Sequence, residues 1–146
     1  MSENVEREAS RMASVLIVHE DNGLGRLFAV VLEQGGHLAV ACKRVDEMAS
    51  WIAKRGRPDL VITHLGVGYS AEHNMASRVM DELNRLECDS PVVVVTGGGL
   101  DGGVVRALTR RGVRSFIALP YGNVRDTLSM LVAGFGKGER GERHEG

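Results

Sequence analysis

Two short apolar runs in this chain end in side chains capable of chemistry. Val15-Leu-Ile-Val18 leads directly into His19-Glu20-Asp21, and Leu60-Val-Ile62 leads into Thr63-His64-Leu65. Two imidazoles and a carboxylate form a ligand set that Zn²⁺ or Ni²⁺ accepts. The adjacency of His19 and Glu20 works against joint ligation, because neighbours along a strand point to opposite faces. Phosphorylation of His64 is a narrower reading of the same cluster. The plainest reading is that His19, Glu20 and His64 fill a pocket that carries no chemical demand. Two further runs end in the same way, Val92-Val-Val-Val95 in Thr96-Gly97 and Phe116-Ile-Ala-Leu119 in Pro120.

The elements that must position these residues follow from the hydrophobic pattern. Val15–Val18, a weaker Leu38-Ala-Val-Ala41, Leu60–Ile62, Val92–Val95 and Phe116–Leu119 read as five buried strands. Helical periods fill the gaps: Leu24, Leu27, Phe28, Val31 and Leu32; Val45, Met48, Ala49 and Ile52; Met75, Val79, Leu83 and Leu86; Val104, Val105 and Leu108; Val124, Leu128, Leu131 and Phe135. Each set predicts one apolar helix face. Continuous apolar strands alternating with amphipathic helices predict an α/β fold, a doubly wound parallel sheet with helices on both faces, (βα)5. Gly35-Gly36, Gly56 and Gly112 stand where left-handed helix caps are expected.

Composition narrows the function classes. A chain of 146 residues is of one-domain size, and 18 Lys and Arg against 19 Asp and Glu give no basic excess for nucleic acid. Aromatic residues make up only 4% of the chain, which leaves few platforms for stacking bases. No apolar run reaches the roughly 20 residues of a membrane helix, and the acidic start Met1-Ser-Glu-Asn-Val-Glu-Arg-Glu8 is unlike a secretory signal. A cytoplasmic protein is expected. Cys42 and Cys88 lack any metal or redox spacing and are expected to be reduced thiols. Residues 1–13 and 136–146 read as polar tails around a domain spanning 14–135.

Ligands of open parallel sheets gather at the carboxyl ends of the strands, and here those ends carry a resemblance. Val15-Leu-Ile-Val-His-Glu-Asp21, Pro58-Asp-Leu-Val-Ile-Thr-His-Leu65, Pro91-Val-Val-Val-Val-Thr-Gly97 and Ser115-Phe-Ile-Ala-Leu-Pro120 resemble the receiver (CheY-like) domain of two-component response regulators. The resemblance implies the flavodoxin-like fold with strand order 2-1-3-4-5. It also implies an acid pair after the first strand, a phosphoacceptor Asp after the third, a Ser or Thr after the fourth and a Lys before Pro after the fifth. In this chain the acid pair falls on His19 and Glu20, the acceptor on His64 and the Lys on Leu119, while Thr96 is kept. Phosphoryl transfer to a carboxylate relies on Mg²⁺ and positioned charge. A unit-charge pair at 4 Å is worth about 4 kcal/mol at an effective dielectric near 20, so these losses predict a degenerate phosphorylation pocket that does not run the phosphorelay reaction.

Two other features bear on function. Gly66-Val-Gly-Tyr-Ser-Ala71 and Gly97-Gly-Gly-Leu-Asp-Gly-Gly103 could cradle a phosphate, although a dinucleotide fingerprint belongs after the first strand and mobile βα loops account for both. Arg106, Arg110, Arg111, Arg114 and Arg125 gather on or beside the face formed by the fifth strand with the fourth and fifth helices. By the resemblance, Phe116 aligns with the aromatic that rotates when a receiver switches, and this face is one that receivers use for partners. Arg106, Arg110, Arg114 and Phe116 are the expected partner-binding residues, against the alternative of a solvated basic surface. The expectation is an atypical, stand-alone receiver domain, not an enzyme, that signals or scaffolds by phosphorylation-independent protein–protein interaction, with no cofactor and no metal. Its partner is a protein, such as a histidine kinase, another signalling protein or a second copy; neither membrane nor nucleic acid is implied. The alternative is a small-ligand or metal-binding sensor that uses the eroded pocket.

Overall fold

The computed structural model describes residues 12–66, 70, 72–97, 101–118, 126 and 128. Its strands are β1 (Ser14–Val18), β2 (Leu38–Cys42), β3 (Leu60–Thr63), β4 (Val92–Thr96) and β5 (Ser115–Ala118). Between them lie α1 (Asn22–Gln34), α2 (Val45–Arg55), α3 (Met75–Arg85) and α4 (Gly102–Arg111). All four pairings are parallel, and the sheet order is β2-β1-β3-β4-β5. The predicted helix over Val124 to Phe135 lies outside the described residues except for Asp126 and Leu128, both helical. Both predicted tails also lie outside them, apart from Met12 and Ala13.

Strand alternation divides the core into two layers. Val15 and Ile17 of β1, Leu60 and Ile62 of β3, and Val93 and Val95 of β4 pack with Phe28, Val31 and Leu32 of α1 and with Leu128. Leu16 and Val18, Val61, and Val92 and Val94 face the other way, onto Met48 of α2, Met75, Val79 and Leu83 of α3, and Val104 and Leu108 of α4. Strands covered on both sides must be apolar at every position, which is why these segments lack the alternation of a half-exposed strand.

One helix face departs from the predicted one. Leu24 and Leu27 of α1 are exposed, at 41% and 44%, as is Val30. The helix lies on the sheet through Gly25, Phe28, Ala29, Val31 and Leu32, so its buried arc is centred past Leu24 and Leu27. The predicted caps also divide. Gly112 is a left-handed cap (φ 112°, ψ 7°), but Gly56 leaves α2 with φ 90° and ψ −168°, and Gly35 has φ −86° with the positive φ falling on Gly36. Side chains cap the N-termini of three helices: Asp21 accepts the Leu24 N–H, Asp101 accepts the Gly103 N–H, and Asn74 exchanges bonds with Ser77 in a capping box, whereas Arg44 before α2 makes no such bond.

Candidate functional site

The carboxyl ends of β1 and β3 converge on one pair of side chains. Parallel register sets Val18 beside Thr63, so the next residues, His19 and His64, emerge side by side. Their parity matches that of Ile17 and Ile62, which places both on the α1 face. There the rings stack, with centroids 3.6 Å apart and planes 16° from parallel, and His19 meets Phe28 edge-on at 6.0 Å. Beneath the stack, the Thr63 hydroxyl donates to the Val18 carbonyl at 2.9 Å and ties the two strand ends together.

One nitrogen of each ring accepts a hydrogen bond from the turn that follows β1. The Asp21 N–H donates to His19 Nδ1 at 3.1 Å, and the Glu20 N–H donates to His64 Nε2 at 3.3 Å. An acceptor nitrogen must be unprotonated, so both rings are neutral, with the proton on His19 Nε2 and on His64 Nδ1. The electrostatics agree. Burial lowers the pKa of His19 from its ordinary 6.5, against the opposing pull of Asp21 and Glu20. Burial, with help from the His19 ring and Arg78, pushes His64 down to about 4 despite Glu20 and Asp21.

Glu20 has the opposite parity and faces the α3 side. Its Oε1 lies 3.9 Å from His64 Nε2. Its carboxylate also lies against Gly66, where a Cβ would sit 3.0 Å from Oε1, and the φ of 96° there is a backbone conformation that favours glycine. Two clefts share Glu20, Met75 and Arg78. One, of about 470 Å³, runs past Leu65, Asn74 and Ser77 to Asp81 and Arg111; the other, of about 380 Å³, reaches Lys43, Arg44 and Asp46.

A receiver's Mg²⁺ does not fit this donor set. Asp21 is occupied as the cap of α1, Glu20 is one carboxylate, and imidazole nitrogen is a poor ligand for a hard octahedral cation. The transition-metal alternative meets a different obstacle. Stacked rings point their lone pairs sideways within parallel planes, and those lone pairs already accept backbone N–H groups. Among the described residues no group of three His, Cys, Asp or Glu is placed to hold a metal ion.

The other predicted site residues are dispersed. Thr96 ends β4, paired in register with Ala118. Leu119, Arg125, residues 67–69 and 71 of the first glycine segment, and residues 98–100 of the second lie outside the described residues. Arg106, Arg110 and Arg114 are exposed, and Arg111 pairs with Asp81 of α3. Phe116 is half-buried and packs on the core cluster that contains Leu108 and Val94, so only part of its ring faces outward. Cys42 is buried, with its thiol pushed up to about 11 by burial and Glu47, and Cys88 contacts the Ser90 hydroxyl at 3.3 Å; both are free. Sequence reasoning did not find Arg78, whose charge acts on His64, or the contact between Gly66 and Glu20. The parity of β1 and β3 was a signal for the face each side chain takes, His19 and His64 on one side and Glu20 on the other, but not for the register that stacks the rings.

No family model matches the chain, and no curated protein matches its sequence. Solved structures do match. The receiver domain of NtrX from Brucella abortus is 25% identical, with a TM-score of 0.68 over 84% of this chain and 98% of that one. The structural neighbours of this chain are CheY-like receiver domains. A receiver domain protein (CheY-like) from Methanospirillum hungatei JF-1 superposes with a TM-score of 0.68 at 17% identity, covering 88% of this chain and 98% of that one. NtrX from Brucella abortus in complex with ATP gives 0.72 at 25% identity over 90% of this chain, which spans 28% of the length of that protein. The order 2-1-3-4-5 and the alternating helices are those of the receiver fold. That fold supports a signalling role. No helix among the described residues is long and apolar enough to cross a membrane.

Proposed function

We propose that this chain is a degenerate receiver that signals in the cytoplasm through protein contact, without accepting phosphate and without catalysis of its own. One observation carries the reading. Where a receiver presents an acid and an acceptor carboxylate, this chain stacks His19 on His64 with a lone pair of each ring occupied by the backbone of the next turn. Such a pocket offers no carboxylate nucleophile, and one carboxylate, Glu20, is left of the group that would hold a metal. Contact with a partner is assigned to the exposed Arg106, Arg110 and Arg114 and the outward edge of Phe116, a face suited to an acidic protein or a second copy.

Incubation with acetyl phosphate or beryllofluoride and Mg²⁺ tests the reading by intact mass and amide NMR. No adduct and no shift at Thr96 are expected, and a stable phosphoryl adduct overturns it. His64→Asp alone should restore little labelling, whereas His19→Asp, His64→Asp and Leu119→Lys together should exceed the sum of the single changes, because groups that act as a unit are not additive.

The second reading, a small-ligand sensor, is supported by the two clefts that meet at Glu20, Met75 and Arg78. Titration with nucleotides or small carboxylates should then raise the melting temperature, since a ligand that binds only the folded state stabilises it.

A further inference from the structure

The stacked histidines do more than fill space, because the lone pairs that would take up protons are the ones that hold the turn after β1. We propose that His19 and His64 form a proton-operated latch on the β1–α1 turn, closed while both rings are neutral and opened when His64 is charged. The geometry dictates the coupling. His64 Nε2 accepts the Glu20 N–H at 3.3 Å, and a proton added to Nε2 sets two N–H groups against each other, so that hydrogen bond must break. A new partner stands close by, Glu20 Oε1 at 3.9 Å from the same nitrogen. Protonation therefore exchanges the backbone N–H of Glu20 for its own carboxylate as the partner of His64. His19 follows the same logic, since its Nδ1 accepts the Asp21 N–H at 3.1 Å.

Among the described residues, the groups that bias the latch come from three elements and the His19 ring. From the β1–α1 turn, Glu20 and Asp21 favour the charged ring; from α3, Arg78 opposes it; the His19 ring opposes a charge on His64 from a stacking distance of 3.6 Å. From α1, Phe28 meets His19 with an apolar edge. Gly66 leaves the space in which the Glu20 carboxylate sits. Burial and the His19 ring, with a smaller push from Arg78, prevail, so His64 takes its proton only near pH 4 and the latch is closed at neutral pH. The proposal rests on the reading of the pocket as free of phosphate, but its test uses no phosphodonor, so either can fail without the other.

Imidazole ¹⁵N spectra and amide exchange of the full chain provide that test. At pH 7 the unprotonated nitrogens should be His64 Nε2 and His19 Nδ1, with the Glu20 amide protected. On acidification His64 should protonate well below its ordinary 6.5, and the Glu20 amide should lose protection in the same step while Leu16 and Ile17 remain protected. Glu20→Gln should move that titration to lower pH, a shift that a merely space-filling histidine would not show. At pH 7, His64→Phe keeps a ring on the stack but removes the acceptor, and should speed exchange at Glu20 by about tenfold, the equivalent of one lost hydrogen bond. This variant decides the matter even if the domain unfolds before pH 4. Titration of His64 at its ordinary value, the opposite tautomer, or Glu20 exchange that is unchanged in His64→Phe overturns the latch.

Discussion

At the scale of single residues, the histidine pair makes stability depend on pH with a definite sign. The folded pKa of His64 is lowered from 6.5 to about 4, and that of His19 is lowered as well. Between these values the unfolded chain binds protons that the folded chain does not, so stability is full above about pH 6.5 and falls as the pH drops toward 4. A tenfold difference in proton affinity between the two states is worth about 1.4 kcal/mol, so His64 contributes up to about 3 kcal/mol across that window. Its ring is only partly buried, so solvent screening holds the effect below that ceiling. Urea denaturation at pH 7, 5.5 and 4.5 should show the midpoint falling steadily, and His64→Phe should flatten the slope. The slope should not vanish in that variant, because burial also lowers the pKa of His37, whose Nδ1 accepts the Ala13 N–H at 3.0 Å. A midpoint independent of pH over this range contradicts the neutral, buried pair.

At the scale of elements, α1 separates apolar composition from burial. Leu24, Leu27 and Phe28 fall within one helical repeat, yet only Phe28 reaches the sheet. Phe28→Ala removes a ring packed among Val31, Leu32 and Leu128 and should destabilise the domain by about 3–5 kcal/mol, whereas Leu27→Ala should change stability by about 0.5 kcal/mol or less. Thermal or urea melts of the two variants measure the difference. The pattern of apolar positions alone did not reveal it, because a helix with apolar residues over more than half its circumference has no unique buried arc. Gly25 and Ala29 are the small residues of the buried arc; a Cβ on Gly25 would lie 3.5 Å from the Ala41 Cβ of β2, an ordinary contact. The other helices were legible because charged residues such as Arg78, Asp81 and Arg85 mark the outer side of α3.

At the scale of the molecule, the proposed docking face is the basic one on α4 and β5, away from the pocket. Arg106 and Arg110 are exposed, and the Arg110 guanidinium donates to the Arg106 carbonyl at 3.4 Å, so neither charge is neutralised by that contact. Charges on a rim act mainly on association rate and its salt dependence. Arg106→Glu with Arg110→Glu should therefore slow binding to an acidic partner and flatten its dependence on ionic strength, as read by surface plasmon resonance. Phe116→Ala should speed dissociation less than a fully exposed anchor would, since part of the ring packs on the core cluster. Charge reversal at Arg26 and Glu33 on α1 is the control; if it abolishes binding while the α4 pair leaves both rates unchanged, the docking face belongs to α1.

The five strands, the described helices between them and the parallel sheet were determined by the sequence itself. Runs such as Val92–Val95 can be buried on both sides only in a sheet covered by helices on both faces. The identities at the strand ends, His19, Glu20, Thr96 and His64, were equally legible, because the carboxyl edge of such a sheet is where chemistry gathers. Tertiary structure alone decided what those residues do to one another. Whether two imidazoles 45 residues apart stack, converge on a metal or point away depends on the register of β1 against β3, and a register is a relation between segments that neither segment encodes. The same holds for Arg78 and Gly66. Each is ordinary in its local sequence, and each acts on the site only because α3 and the end of β3 are folded against the turn that carries Glu20.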